Sequence, residues 1–93
     1  MDLIAVAFRI AGGRRFDGRM IAPDIPQLQG FFRAIERMGW EVDRTTLLRT
    51  EQLNRLREVC ASAGDQEVCV VSGRSDFINA ARQVRNVRVV TDI

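Results

Sequence analysis

The densest concentration of reactive side chains in this 93-residue chain is the run Ser72, Gly73, Arg74, Ser75 and Asp76. It follows an unbroken apolar stretch, Val68 to Val71, and precedes Phe77, Ile78, Ala81 and Val84 at helical spacing, which predicts strand, tight polar loop, helix. Ligands and catalysis gather at the carboxyl ends of strands in open α/β sheets. Arg74, beside free backbone N–H groups and a positive helix end, could hold a phosphate or an acidic side chain. Ser72, Arg74 and Ser75 are therefore candidate ligand-binding residues. The simpler reading is a turn in which Ser75 or Asp76 caps the helix. A second constellation, Arg9, Arg14, Arg15 and Arg19, surrounds Gly12 and Gly13 and includes Phe16. Such a cluster could bind nucleic-acid phosphates and stack one base, although a hairpin tip blunted by charge is the commoner use.

Several chemistries are excluded at the outset. The chain has no His and two Cys, which removes Ser-His and Cys-His catalysis and the common zinc arrangements. No resident metal or cofactor is expected. Cys60 on a helical apolar face and Cys69 in the apolar strand read as small core residues of a reducing compartment, with a disulfide between them the less favoured alternative. All 14 basic residues are Arg, yet the net charge is only +2, far from a nucleic-acid-binding footprint. A GC-rich genome explains the Arg usage more simply. Asp2 precedes a short apolar run without a cationic leader, and no apolar segment reaches about 18 residues. The expectation is a cytoplasmic protein without membrane association.

Stepwise periodicity then gives one domain, residues 1–93, of α/β class. Leu3 to Ile10 is a strand with Ile4, Val6, Phe8 and Ile10 on one face. Gly12-Gly13 either turns a hairpin, returning Arg15 to Ala22 as a poorly packed edge strand, or opens an irregular loop; the hairpin is favoured. Asp24 caps the next helix with Pro26 in its first turn and Gln27 completing a capping box. Leu28, Phe31, Phe32, Ile35 and Met38 form its apolar face, Gly39 ends it, and Trp40 and Val42 begin a strand. Leu47 and Leu48 extend that strand or pack the connection. Thr50 caps a second helix with Leu53, Leu56, Val59, Cys60 and Ala63 on one face and Glu51 placed to pair with Arg55. Gly64 and Asp65 close it. The loop strand, buried on both faces, a short helix and a final strand at Val87 to Val90 complete a small mixed, largely parallel sheet flanked by about three helices.

The segment VVSGRSDF, Val70 to Phe77, resembles the hallmark of NYN domains, PIN-like ribonucleases in which a buried strand leads into SGDSDF. GWEVDR, Gly39 to Arg44, is similar to the helix-to-strand step before that hallmark, VRVVTDI to the family's last strand, and AVAFRIAGGR to a first strand ending in IDGxN. The resemblance implies an acid cluster holding Mg²⁺ or Mn²⁺ that activates water to cut RNA. Position by position the cluster is depleted: Ala11 stands for the first-strand Asp, Arg74 for the first hallmark acid, and Asn54 lies near where another acid is wanted. Only Asp76 matches. A fixed Arg charge about 4 Å from a cation costs roughly 4 kcal/mol at an effective dielectric near 20.

These readings converge on a small binding module resembling a catalytically degenerate NYN domain, acting on RNA or on a protein through a sheet edge or helix face, with homodimerisation a further option. One alternative is a metal-dependent ribonuclease with a site rebuilt from Asp76, Asp17 and a third acid. Another is an accessory or inhibitor protein, of phage or mobile-element type, working through a protein interface.

Overall fold

The computed structural model describes residues 4–9, 13 and 16–90. Five strands, β1 (Ile4–Arg9), β2 (Asp17–Pro23), β3 (Glu41–Thr45), β4 (Glu67–Val71) and β5 (Arg88–Val90), form one sheet in the order β3-β2-β1-β4-β5. β1 is antiparallel to β2 and β4, whereas β2 pairs parallel with β3 and β4 with β5. Four strands thus share one direction and β1 opposes them. Helices α1 (Gln29–Arg37), α2 (Arg49–Ala61) and α3 (Ser75–Val84) complete the α/β fold, as the periodicity predicts.

The favoured hairpin forms, but its second strand is not at an edge. β2 lies between β1 and β3 with Met20 to Pro23 buried. Its charges tolerate that position because Arg19 bonds Glu41 on the neighbouring strand and lies 3.9 Å from Asp43. Gly18 is required there: a Cβ would run into the Trp40 indole, which lies directly against it. Trp40 itself precedes β3 rather than joining it.

The helix ends follow the sequence at their C-termini and depart from it at their N-termini. Gly39 (φ +89°) and Gly64 (φ +60°) adopt the left-handed conformation that ends α1 and α2. No side chain caps any of the helices. Asp24 instead accepts from Gln29 Nε2 at 2.9 Å, beside a 3-10 turn over Pro26–Leu28. Thr50 lies within α2, whose entry is organised by Thr46: its hydroxyl accepts from the Leu48 N–H at 3.3 Å and donates to Glu51. Glu51 is therefore not paired with Arg55, which bridges to Asp43 at 3.5 Å. Leu47 and Leu48 neither extend β3 nor pack the connection, being 72% and 65% exposed.

The two faces of the sheet are covered unequally. On one, α2 and α3 bury Ile4, Val6, Ile21, Val68 and Val70 beneath Leu56, Val59 and Phe77. On the other, α1 alone packs Phe32 on Met20 and Ala22. Alternation along the strands puts Ala5, Ala7, Cys69 and Val71 on this second face, and all four remain partly exposed. The expectation that β4 is buried on both sides holds for one side only, because three helices cannot fill the four helix-width positions of a five-stranded sheet. Cys60 and Cys69, on opposite faces, are both free thiols.

Candidate functional site

The loop after β4 is a self-satisfied turn. Ser72 is buried, its N–H donates to the Val90 carbonyl at 3.3 Å, and its Oγ accepts from the Arg74 N–H at 3.2 Å. Arg74 occupies the N-cap position of α3 with extended backbone, so neither Ser75 nor Asp76 caps the helix. Asp76, in the first turn, lies 3.3 Å from Arg74 Nε and 3.5 Å from Arg49 Nε. Arg74 also stacks on the Phe77 ring, 5.8 Å from its centroid. A carboxylate already sits at the positive end of α3, where a ligand phosphate would bind, and two guanidinium groups neutralise it.

The two candidate catalytic acids are not brought together. Asp76 follows the carboxyl end of β4, whereas Asp17 opens β2 opposite Phe8 of β1. That is the other end of the sheet, because β1 runs antiparallel to β4. Among the described residues no group of three or more His, Cys, Asp or Glu could hold a metal ion. Asn54 is exposed and accepts from Arg57 at 3.2 Å.

The basic tip is also divided. Arg14 and Arg15, like Ala11, lie outside the described residues. Arg9 and Arg19 project from opposite faces, since Arg19 opposes Val6 and Arg9 sits in alternate phase on β1. Each has an acidic partner: Arg9 Nε donates to Glu67 at 2.9 Å, and Arg19 to Glu41. Arg9 also lies over the Phe16 ring at 5.0 Å. Beside this pair is a groove of about 420 Å³ reached by Cys69, Asn86 and Arg88.

That groove opens onto the uncovered half of the sheet, the feature sequence patterning misses. Its wall is α1. Glu36 accepts from Arg44 Nη2 on β3 at 3.1 Å and so marks the helix flank turned toward the edge strand. At about 100° per residue, Phe31 and Met38 fall on the opposite flank, turned away from β3. They are 40% and 68% exposed, so neither belongs to the core that periodicity assigns them, which keeps Phe32. Trp40 is only half-buried, lying on Gly18. The trough left open on this face has Ala5, Ala7, Cys69 and Val71 partly exposed on its floor, with Phe31 and Met38 exposed on the helix that covers the other half. The one available signal was the count of helices against strands.

One half-buried side chain outside the trough also escapes sequence reasoning. Arg85, after α3, donates to the carbonyls of Cys60 at 3.2 Å, Gly64 at 2.7 Å and Gln66 at 3.1 Å. It ties the end of α2 to the entry of β4 and leaves its Nε buried without a partner. Nothing in the sequence distinguishes it from thirteen other Arg residues. Burial pushes the Cys60 thiol above its ordinary range, an effect Arg85 opposes.

The fold and the trough define a small mixed α/β domain with one half-covered sheet face. No protein-family model, curated protein or solved structure matches the chain. Among the described residues no helix is long and apolar enough to cross a membrane.

Proposed function

We propose that this domain is a binding module rather than a catalyst, and that it engages another protein through the open half of the sheet beside α1. The observation that carries this reading is the half-covered face of the sheet, where Ala5, Ala7, Cys69 and Val71 stay partly exposed and Phe31 and Met38 of α1 are exposed. Contiguous apolar surface of that kind marks interaction sites on soluble domains. Protein is favoured over RNA because Arg9 and Arg19 face apart and are already bound to Glu67 and Glu41, so these two do not join in one basic surface for a phosphate backbone. In this reading the segment resembling the NYN hallmark serves as an ion-paired turn. Asp76 stabilises the start of α3 and holds Arg49 and Arg74, and no metal is needed. Two free thiols suit a reducing, cytoplasmic setting.

The test is affinity capture from the native cell with the wild-type chain beside Val71→Arg and Met38→Arg, each checked for unchanged thermal unfolding. A protein retained by the wild type and lost with both variants is the expected outcome. Retention of RNA instead, released by moderate salt and indifferent to both substitutions, would overturn the reading.

A further inference from the structure

We propose that the groove spanning β1, β4 and β5 binds a small organic anion, a carboxylate or phosphate monoester joined to an apolar body. The site goes beyond the protein-binding reading and does not depend on it, since neither Val71 nor Met38 lines the groove.

Strand register builds the site. Glu67 and Cys69, two residues apart on β4, project from the same side of the sheet. Arg9 lies opposite Glu67 on β1, and Arg88 lies opposite Cys69 on β5. Two Arg residues therefore stand on the strands either side of β4, roughly 10 Å apart at two strand spacings, and both line the groove together with Phe16, Asn86 and Val87. Its volume of about 420 Å³ falls within the roughly 300–1,000 Å³ of small-ligand sites.

Charge selects the anion. Glu67 is the one acid of the lining, and Arg9 already bonds it through Nε and Nη2. Arg88 forms no ion pair, and the Asn86 side chain no hydrogen bond, among the described residues. The groove thus has one positive charge in surplus. A guanidinium fork pairs with the oxygens of a carboxylate or phosphate, whereas a cationic ligand would be repelled. The apolar body follows from the rest of the lining. Phe16 is 48% exposed and lies under the Arg9 guanidinium at 5.0 Å, an arrangement that holds that cation in place. Val87 and Cys69 are partly exposed beside it. An inorganic ion would leave these surfaces in water, so a ligand that covers them while Arg88 takes its anionic group binds more tightly.

The experiment titrates the full chain with benzoate, phenyl phosphate, inorganic phosphate and benzylamine at physiological ionic strength, following backbone amide shifts by NMR. Benzoate or phenyl phosphate is expected to bind saturably, with the shifts centred on Cys69 and Arg88. Preference for benzoate assigns the site to a carboxylate, and preference for phenyl phosphate to a phosphate ester. Arg88→Gln should weaken binding about fivefold or more, and Glu67→Gln should tighten it by removing the one negative charge of the lining. Arg33→Gln, which removes the same charge as Arg88→Gln from the exposed side of α1, should leave it unchanged. Four results would overturn the proposal: no saturable binding by either aromatic anion, equal binding of benzylamine, inorganic phosphate binding as tightly as both aromatic anions, or an Arg88→Gln effect no larger than that of Arg33→Gln.

Discussion

The two faces of the sheet are built from the same strands and differ in what lies on them. Beneath α2 and α3, Phe77, Leu56 and Val70 are fully buried in one continuous core. Beneath α1 the buried cluster is Met20, Ala22 and Phe32, with Ala5, Leu28, Ile35 and Val42 packed around it, and beyond it the floor lies open. The first face holds the fold together; the second has apolar area left over. Stability and binding are thereby assigned to opposite sides of one sheet, so substitutions should separate them.

The largest effect is expected on the closed face. Phe77→Ala should lower unfolding free energy by about 3–5 kcal/mol, through lost burial and the cavity left behind, measured by urea denaturation. The same truncation at Phe31 should cost about 1–2 kcal/mol, because part of that ring is in water already. Equal losses would erase the distinction between the faces. Next comes the clamp at the edge of the closed core. Arg85→Met should cost about 2–3 kcal/mol by leaving the carbonyls of Cys60, Gly64 and Gln66 without their charged donor, and hydrogen exchange should rise first at the α2 to β4 connection.

A smaller effect is expected from Gly18→Ala. The new methyl must displace the Trp40 indole, at about 1–3 kcal/mol, with a shift in Trp40 fluorescence as the indole moves toward solvent. A fluorescence spectrum unchanged from wild type would mean that Trp40 does not rest on β2. The smallest effect is a pH dependence. The Cys60 thiol is raised above its ordinary value of 9.0 in the folded chain, so its contribution to stability is complete below that pH and is lost as pH rises through the folded value. Cys60→Ala should flatten the alkaline loss of stability, read from urea unfolding between about pH 8 and 10.

Much of this architecture is legible in the chain itself. Gly39 and Gly64 announce helix ends because only a residue without Cβ enters the left-handed region cheaply. The apolar runs of β1 and β4 and the stripe from Leu53 to Ala63 place strands and helix correctly. The N-termini were less legible. Asp24 and Thr50 have the right chemistry for caps, but neighbouring partners, Gln29 for one and the helix backbone for the other, take their positions. Burial was misjudged wherever it depends on which strands are neighbours. β2 looked like an edge because of Asp17 and Arg19, yet β3 supplies the partner for Arg19. Phe31 and Met38 sit about 100–120° round α1 from Phe32, so the helix buries Phe32 on the sheet and leaves these two exposed on its flank.

The candidate site shows the same division. Ser72 to Asp76 forms the predicted strand-to-helix turn, and Asp76 meets Arg74 there, but Arg49 joins from a helix no local pattern could connect. Asp17 was separated from Asp76 by the direction of β1, which only the three-dimensional pairing determines. The trough has no motif at all: it arises from side chains on β1, β4 and α1 that are unremarkable one by one.

Native-state alkylation of Cys69 tests the open face most directly, because this thiol lies on the floor of the trough while Cys60 is buried on the other side of the sheet. In the free protein a maleimide should modify Cys69 and spare Cys60. Modification of Cys60 at a similar rate, or a Cys69 that resists the reagent, would contradict the open face.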